Sequence, residues 1–218
     1  MKQFIVLGLG KFGSAVATTL VELGYEVLGV DSDPERVNAL KNKITEAVQA
    51  DISEERTLTE LGAQNFDAAI VGVGSDLESS ILATIMLKEM GIKYIIAKAQ
   101  NALHRKVLEK IGVNKVVFPE RDMGIRIARS LITPNIKDYI ELEPDYSVIE
   151  IEALPDFVDK TLSELDLRNK YGINVLAIKR DNSFNISPQA KDVIKKGDFL
   201  IIIGETKKIT KLASKPSK

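Results

Sequence analysis

The sequence predicts an α/β protein with a doubly wound parallel sheet, a connector helix and a small α+β C-terminal subdomain. Three observations lead there. Short β-branched runs alternate with amphipathic stretches of helical length from Lys2 to Phe118. A glycine-rich turn joins the first run to the helix-like segment after it. Beyond Pro119 this rhythm changes, and from Lys137 onward strand-like runs dominate.

Strands are expected at Gln3–Leu7, Glu26–Val30, Glu46–Gln49, Ala68–Val71, Tyr94–Ala97 and Lys115–Phe118. Each is short and rich in Val, Ile or Ala, as strands covered on both faces are. Pro34–Asn42 reads as a helix with Asp33 as N-cap and Pro34 at its first position, and Asp76–Met90 as one stopped by Gly91. In Asn101–Ile111 the pattern turns Leu103, Val107 and Leu108 toward the core and leaves His104 at the surface. Glu120–Ile132 is the amphipathic connector, with Met123, Ile127 and Leu131 on one stripe and a stop at Thr133-Pro134-Asn135. Strands follow at Tyr139–Leu142, Ser147–Ile151, Asn174–Lys179 and Phe199–Ile203, with a short helix around Leu162–Asn169. The boundary therefore falls near residues 133–137, giving domains 1–133 and 137–218. The second, of about 80 residues, is small for an independent core, so support from a dimer partner is expected.

The chain has 218 residues, 44% of them hydrophobic, and a net charge of −1. No global basic field marks it for nucleic acid or anionic lipid. Charge is instead local: Asp138 to Asp166 holds ten acids against Lys160 alone, and the segment from Thr206 carries five lysines and no acid. A solvated acidic face and a frayed tail are the expectation for such runs. Cysteine is absent, which excludes disulfides and thiolate chemistry and fits the cytoplasm. The sequence enters its first strand at once, so no signal peptide is expected, and no apolar run nears the ~20 residues of a membrane span.

In Gly8-Leu9-Gly10-Lys11-Phe12-Gly13 the first glycine permits a tight turn, the second lets backbone approach a phosphate, and the third lets helix and strand pack closely. This is the Rossmann-like cradle, and Asp31 at the end of the second strand occupies the place of a carboxylate that takes ribose hydroxyls. Asp31 also repels a 2′-phosphate, so an adenosine with a free 2′-hydroxyl is expected rather than NADP. Lys11 sits inside the turn, where it is able to reach a terminal phosphate. Gly72-Val73-Gly74-Ser75-Asp76 forms a second glycine-rich edge of the crevice, and Asp51-Ile52 is placed to flank the adenine.

A hydride-transfer enzyme also needs a group to move a proton. His104 is the only histidine. Tyr94-Ile-Ile-Ala-Lys98 has the Tyr-x-x-x-Lys spacing of short-chain dehydrogenases, but on a strand that spacing separates the side chains by ~13 Å. Sensing is favoured over turnover. An NAD-dependent oxidoreductase and an NADH-sensing regulator stay open as alternatives, the latter without a recognisable DNA-reading element.

The motifs Gly8-Leu-Gly-Lys-Phe-Gly13, Asp31-Ser-Asp, Ala97-Lys-Ala-Gln-Asn101, Val107-Leu-Glu-Lys-Ile-Gly112 and Phe118-Pro-Glu-Arg-Asp-Met-Gly124 occur in that order. With them the chain resembles an RCK (KTN) regulatory protein of the Ktr/Trk potassium-uptake type. Leu165-Asp-Leu-Arg-Asn-Lys-Tyr-Gly172 and Lys196-Gly-Asp-Phe-Leu-Ile-Ile-Ile-Gly204 extend the likeness into the C-terminal subdomain. The resemblance implies a non-enzymatic cytoplasmic subunit, a homodimer assembling to an octameric ring on a membrane potassium-translocating subunit. ATP and ADP would favour different ring shapes, and the shape would gate transport. It further implies that Lys11 contacts the ATP phosphates and that Glu120 helps hold Mg or Ca at the nucleotide across the dimer. Cyclic di-AMP binding at the C-terminal dimer interface would fall to Arg168, Asn174, Val175 and Pro188. One departure is that related proteins typically carry Arg at the position of Lys11, so a point charge replaces a planar fork. The expected nucleotide-binding set is Gly8, Gly10, Lys11, Phe12, Gly13, Asp31, Ser32, Asp51, Ile52, Gly72, Val73, Gly74, Lys98 and Glu120.

Overall fold

The apolar runs of the N-terminal half are strands covered on both faces. β1 (Gln3–Leu7), β2 (Glu26–Asp31), β3 (Glu46–Gln49), β4 (Ala68–Val71), β5 (Ile95–Lys98) and β6 (Lys115–Val117) form one sheet in the order β3-β2-β1-β4-β5-β6. Every pairing in it is parallel. This is a computed structural model, and it describes residues 2–74, 76–132, 136–143, 145–181 and 183–213. The chain divides into two compact units, Met1–Arg121 and Asp122–Lys218.

Alternate residues of the sheet serve two cores. Ile5, Leu7, Leu28 and Val30 face one side with Leu58, Leu87, Ile95 and Leu108, whereas Val6, Val27 and Ile70 face the other with Ala17, Val37 and Leu40. Helices α1 (Lys11–Glu22), α2 (Pro34–Leu40), α3 (Glu55–Glu60), α4 (Leu77–Glu89) and α5 (Ala102–Ile111) supply these layers. Asp33 caps α2 by accepting the Glu35 N–H, with Pro34 at the first helical position, as its residue type favours. Asp76 caps α4 and Asn101 caps α5, accepting the Ser79 and His104 N–H groups. The order β1-β4 at the sheet centre creates the switch point at which ligands lie, outside the carboxyl ends of the strands.

The buried face of α5 corrects the sequence expectation. Leu103 is 70% exposed, while His104 is buried together with Leu108. Packed against α4 and β6, the helix turns residues 104 and 108, one turn apart, inward. Nδ1 of His104 accepts the Gln100 N–H at 3.4 Å, so the ring finds a local donor. Burial pushes the His104 imidazole below its ordinary pKa and favours the neutral ring.

α6 (Pro119–Ile132) begins in the first unit and carries the chain into the second. Its Met123, Ile127 and Leu131 are all exposed. The expected stop at Thr133-Pro134-Asn135 lies outside the described residues. In the second unit β7 (Ile136–Glu143), β8 (Tyr146–Glu152), β9 (Asn174–Arg180), β10 (Ser183–Asn185) and β11 (Phe199–Glu205) form an antiparallel sheet in the order β10-β9-β11-β8-β7. One face is apolar: Ile149, Ile151, Leu200 and Ile202 pack with Phe157, Leu165 and Ile194. The helix expected around Leu162–Asn169 is two short ones, α7 (Leu162–Leu165) and α8 (Leu167–Tyr171), because Asp166 between them takes φ 47°. Nor is Thr206–Ala213 a frayed tail. It is α9, held by buried Ile209, Leu212 and Ala213 at helical spacing.

A buried ion pair anchors β9 to the turn before β11. Asp198 is fully buried and receives Nε and Nη2 of Arg180, each at 2.7 Å, and the Lys195 N–H at 2.7 Å. Burial alone pushes its pKa up, but these donors outweigh that and hold it below the usual carboxylate range. Arg180→Met leaves the carboxylate buried without its guanidinium. Because Arg180 is half exposed, the loss should be about 2 kcal/mol, below that of a fully buried pair. Amide hydrogen exchange of β9 and β11 reads it. The pair's contribution is complete above the ordinary aspartate pKa and is lost as pH falls through the lowered folded value, so variant and native protein should converge in strong acid.

Candidate functional site

The carboxyl ends of β1, β2, β4 and β5 surround a cavity of about 340 Å³. The first wall is the glycine turn. Gly8 has φ +93°, and a Cβ there would lie 2.8 Å from Val73; a Cβ at Gly13 would lie 1.8 Å from the Gly8 carbonyl oxygen. Both are glycine because the fold itself leaves no room. Gly10 is different: it has φ −64°, and a Cβ there would meet nothing nearer than Arg36 Nη1 at 4.0 Å. The protein does not require that opening, and it faces the cavity. Gly10 is the N-cap of α1, no side chain caps the helix, and its first turn holds no acid. The first backbone N–H groups of a helix lack intrahelical partners and carry partial positive charge, so this end is fitted for a phosphate.

Asp31 forms the second wall and is 6% exposed. Its Oδ2 accepts the Leu9 N–H at 2.6 Å, its Oδ1 accepts the Asp33 N–H at 2.9 Å, and Arg36 Nη1 approaches Oδ2 at 3.4 Å. The carboxylate thus braces the glycine turn against the end of β2. Arg36 also pairs with Asp33 at 3.2 Å. On the far side Asp51 Oδ1 accepts both the hydroxyl and the N–H of Ser53, which lower its pKa. Asp76 lies below its ordinary pKa through the Ser79 hydroxyl and N–H.

Lys98, the last residue of β5, closes the cavity. Its Nζ pairs with Glu120, and the Lys98 hydrogen bond holds that carboxyl below its usual range. The lysine stem runs along Gly74, where a Cβ would sit 3.1 Å from Nζ. Gln100 Nε2 donates to the Gly74 carbonyl and fixes the same edge.

Thirteen of the fourteen residues expected from the sequence line this one cavity: Gly8, Gly10, Lys11, Phe12, Asp31, Ser32, Asp51, Ile52, Gly72, Val73, Gly74, Lys98 and Glu120. Gly13 does not line it but lies beneath, where α1 meets β1. Ser75 of the second glycine edge lies outside the described residues. Arg36, Ala50, Asp76 and Ser79 complete the lining and were not in the expected set. Arg36 was legible in principle, since a residue in the first turn of the helix after Asp31 returns over the strand end. Tyr94 precedes β5 and is 45% exposed, so it makes no helical dyad with Lys98.

For a cation the side chains alone are insufficient: among the described residues no three His, Asp or Glu groups gather as ligands. Glu120 is a hard oxygen ligand that would share such an ion with phosphate oxygens. In the second unit Arg168, Asn174 and Val175 line a separate cavity of about 220 Å³ with Asp166 and Ile173, and Pro188 is not part of it.

Residues 4–119 match the TrkA-N domain and residues 147–216 the TrkA-C domain. The sequence is 44% identical over 210 residues to Ktr system potassium uptake protein C of Bacillus subtilis (strain 168), covering 96% of this chain and 95% of that protein. It is 44% identical over 208 residues to Ktr system potassium uptake protein A of the same organism, covering 95% and 94%. The GsuK channel bound to NAD superposes with a TM-score of 0.68 at 16% identity, over 100% of this chain and 40% of that one. At that identity the likeness concerns the fold. Among the described residues no helix is long and apolar enough to cross a membrane.

The two kinds of glycine separate in a stability measurement. Gly13→Ala should cost about 3 kcal/mol, the upper range for overpacking, because the Gly8 carbonyl is backbone and has nowhere to go. Gly10→Ala should change stability by no more than about 0.5 kcal/mol. Urea denaturation of the two variants checks this.

Proposed function

The chain belongs to the TrkA-N/TrkA-C family, whose members include the Ktr system potassium uptake proteins, and on that premise we propose that it is a regulatory subunit that senses an adenine nucleotide and gates a membrane potassium transporter. The observation that carries the reading is the Gly10 opening at the uncapped start of α1. It is a space the fold does not need, bounded by backbone N–H groups suited to phosphate. Asp31 receives the ribose hydroxyls with the lone pairs its backbone donors leave. Lys11 contacts the phosphates, and Ile52 and Asp51 flank the base. With ATP, Glu120 holds Mg²⁺ or Ca²⁺ together with phosphate oxygens.

Gating needs no bond chemistry. ATP and ADP shift a conformational equilibrium to the extent that one state binds each better. The subunit acts as a homodimer within an octameric ring at the cytoplasmic side of its transporter, and the exposed Met123, Ile127 and Leu131 suit a subunit contact. Cyclic di-AMP is assigned to the second unit, at Arg168, Asn174 and Val175, with Pro188 supplied from outside that cavity. NAD(H) is the competing ligand, favoured by the NAD-bound GsuK channel that shares the fold; it would make the protein a redox sensor or an oxidoreductase.

Ligand-induced thermal shift distinguishes these readings. ATP and ADP should raise Tm more than NAD(H), and NADPH least, because its 2′-phosphate meets the Asp31 carboxylate. Stabilisation by NADPH equal to that by ADP would contradict the assigned role of Asp31. Mg²⁺ or Ca²⁺ should strengthen ATP binding in calorimetric titration, and Glu120→Gln should remove most of that gain, since an amide keeps the size of the group and loses its charge. Potassium flux in reconstituted vesicles that does not differ between ATP and ADP would overturn the gating role.

A further inference from the structure

His104 is the chain's single histidine, and it does not line the crevice. The residue is 1% exposed, in the layer where α5 packs against α4 and β6. Its Nδ1 accepts the Gln100 N–H, so the neutral ring carries its proton on Nε2, which finds no hydrogen-bond partner among the described residues. Gln100 in turn donates its side-chain amide to the Gly74 carbonyl. Gly74 lines the crevice, and the stem of Lys98 lies along it. Two hydrogen bonds through Gln100 thus connect a buried imidazole to the second glycine edge.

The arrangement holds only for the neutral ring. Protonation puts a hydrogen on Nδ1, where it meets the Gln100 N–H, and buries a cation with an acceptor at neither nitrogen. Among the described residues no anion stands ready to hold that cation. On α5 itself Arg105, Lys106, Glu109 and Lys110 are exposed, as are Glu78 and Glu89 of α4 and Lys115 of β6. The stem of Lys88 lies by Gly112, at the far end of α5, and Lys98 is turned to Glu120. Burial is accordingly the one cause of the lowered His104 pKa. To take up a proton the ring must leave its place, and its hold on Gln100 goes with it. We propose that His104 is a proton-operated latch on the crevice: neutral, it positions Gln100 and through it the Gly74 edge, and protonated, it releases both. The inference rests on the adenine-nucleotide reading only for its consequence, that a nucleotide binds the latched form. A released ring has the ordinary pKa of about 6.5, above that of the latched one. Acid below that value therefore favours release, and by reciprocity a ligand that needs the latched edge lowers the His104 pKa further.

The test reads the ring directly in the intact protein. Because the chain has one histidine, the pH dependence of hydrogen–deuterium exchange at the imidazole Cε1, followed by mass spectrometry, gives the pKa of His104 alone. It should lie below the ordinary value, and saturating ADP should lower it further. Between about pH 7.5 and 5.5 the calorimetric affinity for ADP should fall about fivefold more in the native protein than in His104→Gln, whose amide keeps an acceptor for Gln100 and does not titrate. Ionisation of the ligand's phosphate near about pH 6 is common to both. Gln100→Leu, at an exposed position, cuts the connection at its second bond: the ring should keep its low pKa, ADP should no longer shift it, and the affinity profile should flatten. A ring that titrates at the ordinary value overturns the latch, as does a native pKa that ADP leaves unchanged. If Gln100→Leu retains the full shift, the coupling does not run through Gly74 and the proposal is wrong. Should His104→Gln fail to fold, Gln100→Leu decides. If ADP does not bind the native protein, the nucleotide reading falls and the latch is judged without ligand. Backbone amide exchange at Gly72, Val73 and Gly74 should then gain on its intrinsic rate as pH falls, in the native protein and not in Gln100→Leu, and equal behaviour of the two overturns it.

Discussion

The contact between Gly13 and the Gly8 carbonyl oxygen is the constraint on which the N-terminal unit depends. Because a Cβ at residue 13 would lie 1.8 Å from that oxygen, only glycine lets α1 rest directly on the end of β1. That approach brings the first turn of α1 to the middle of the sheet's carboxyl edge, where β1 and β4 are neighbours. The helix start is then aimed into the crevice, without a side-chain cap and without an acid in its first turn. Potential for anion binding follows from backbone geometry before any charged side chain is considered.

The charged residues around this edge refine it. Asp31 does two things at once: it braces Leu9 and Asp33 through their N–H groups, and it presents an anionic wall beside Arg36. Asp51 and Asp76 are each engaged by a serine two or three residues on, which keeps them ionised within the cavity. The crevice is consequently mixed in sign, with Lys11, Arg36 and Lys98 set among four carboxylates. Its cations are grouped at the glycine turn, where Arg36 approaches Gly10, and at Lys98 beside Glu120.

Much of this was legible in the sequence because its causes are local. Strands buried on both faces read as β-branched runs, and the glycine motif followed by Asp31 encodes a turn, a helix start and a wall by spacing alone. Elsewhere tertiary context decided. The face that α5 buries is set by its packing against α4 and β6, so the inward residue is His104 and not Leu103. β10 and α3 are too short to show a period, and α9 was obscured by its lysines, although Ile209, Leu212 and Ala213 carry its buried stripe. Arg36 was missed although its place in the first turn of the helix after Asp31, which returns it across the end of β2, could have marked it. The pairing of Lys98 with Glu120 joins residues 22 apart on different elements, and only the fold brings them together.

The central claim is that the uncapped first turn of α1 receives the phosphates of an adenine nucleotide. The most direct measurement is residue-resolved amide hydrogen exchange of the intact protein with and without saturating ADP. Protection should rise most at Lys11, Phe12 and Gly13, whose N–H groups have no intrahelical acceptor. ADP binding that leaves these three amides unchanged while protecting another part of the chain would contradict it.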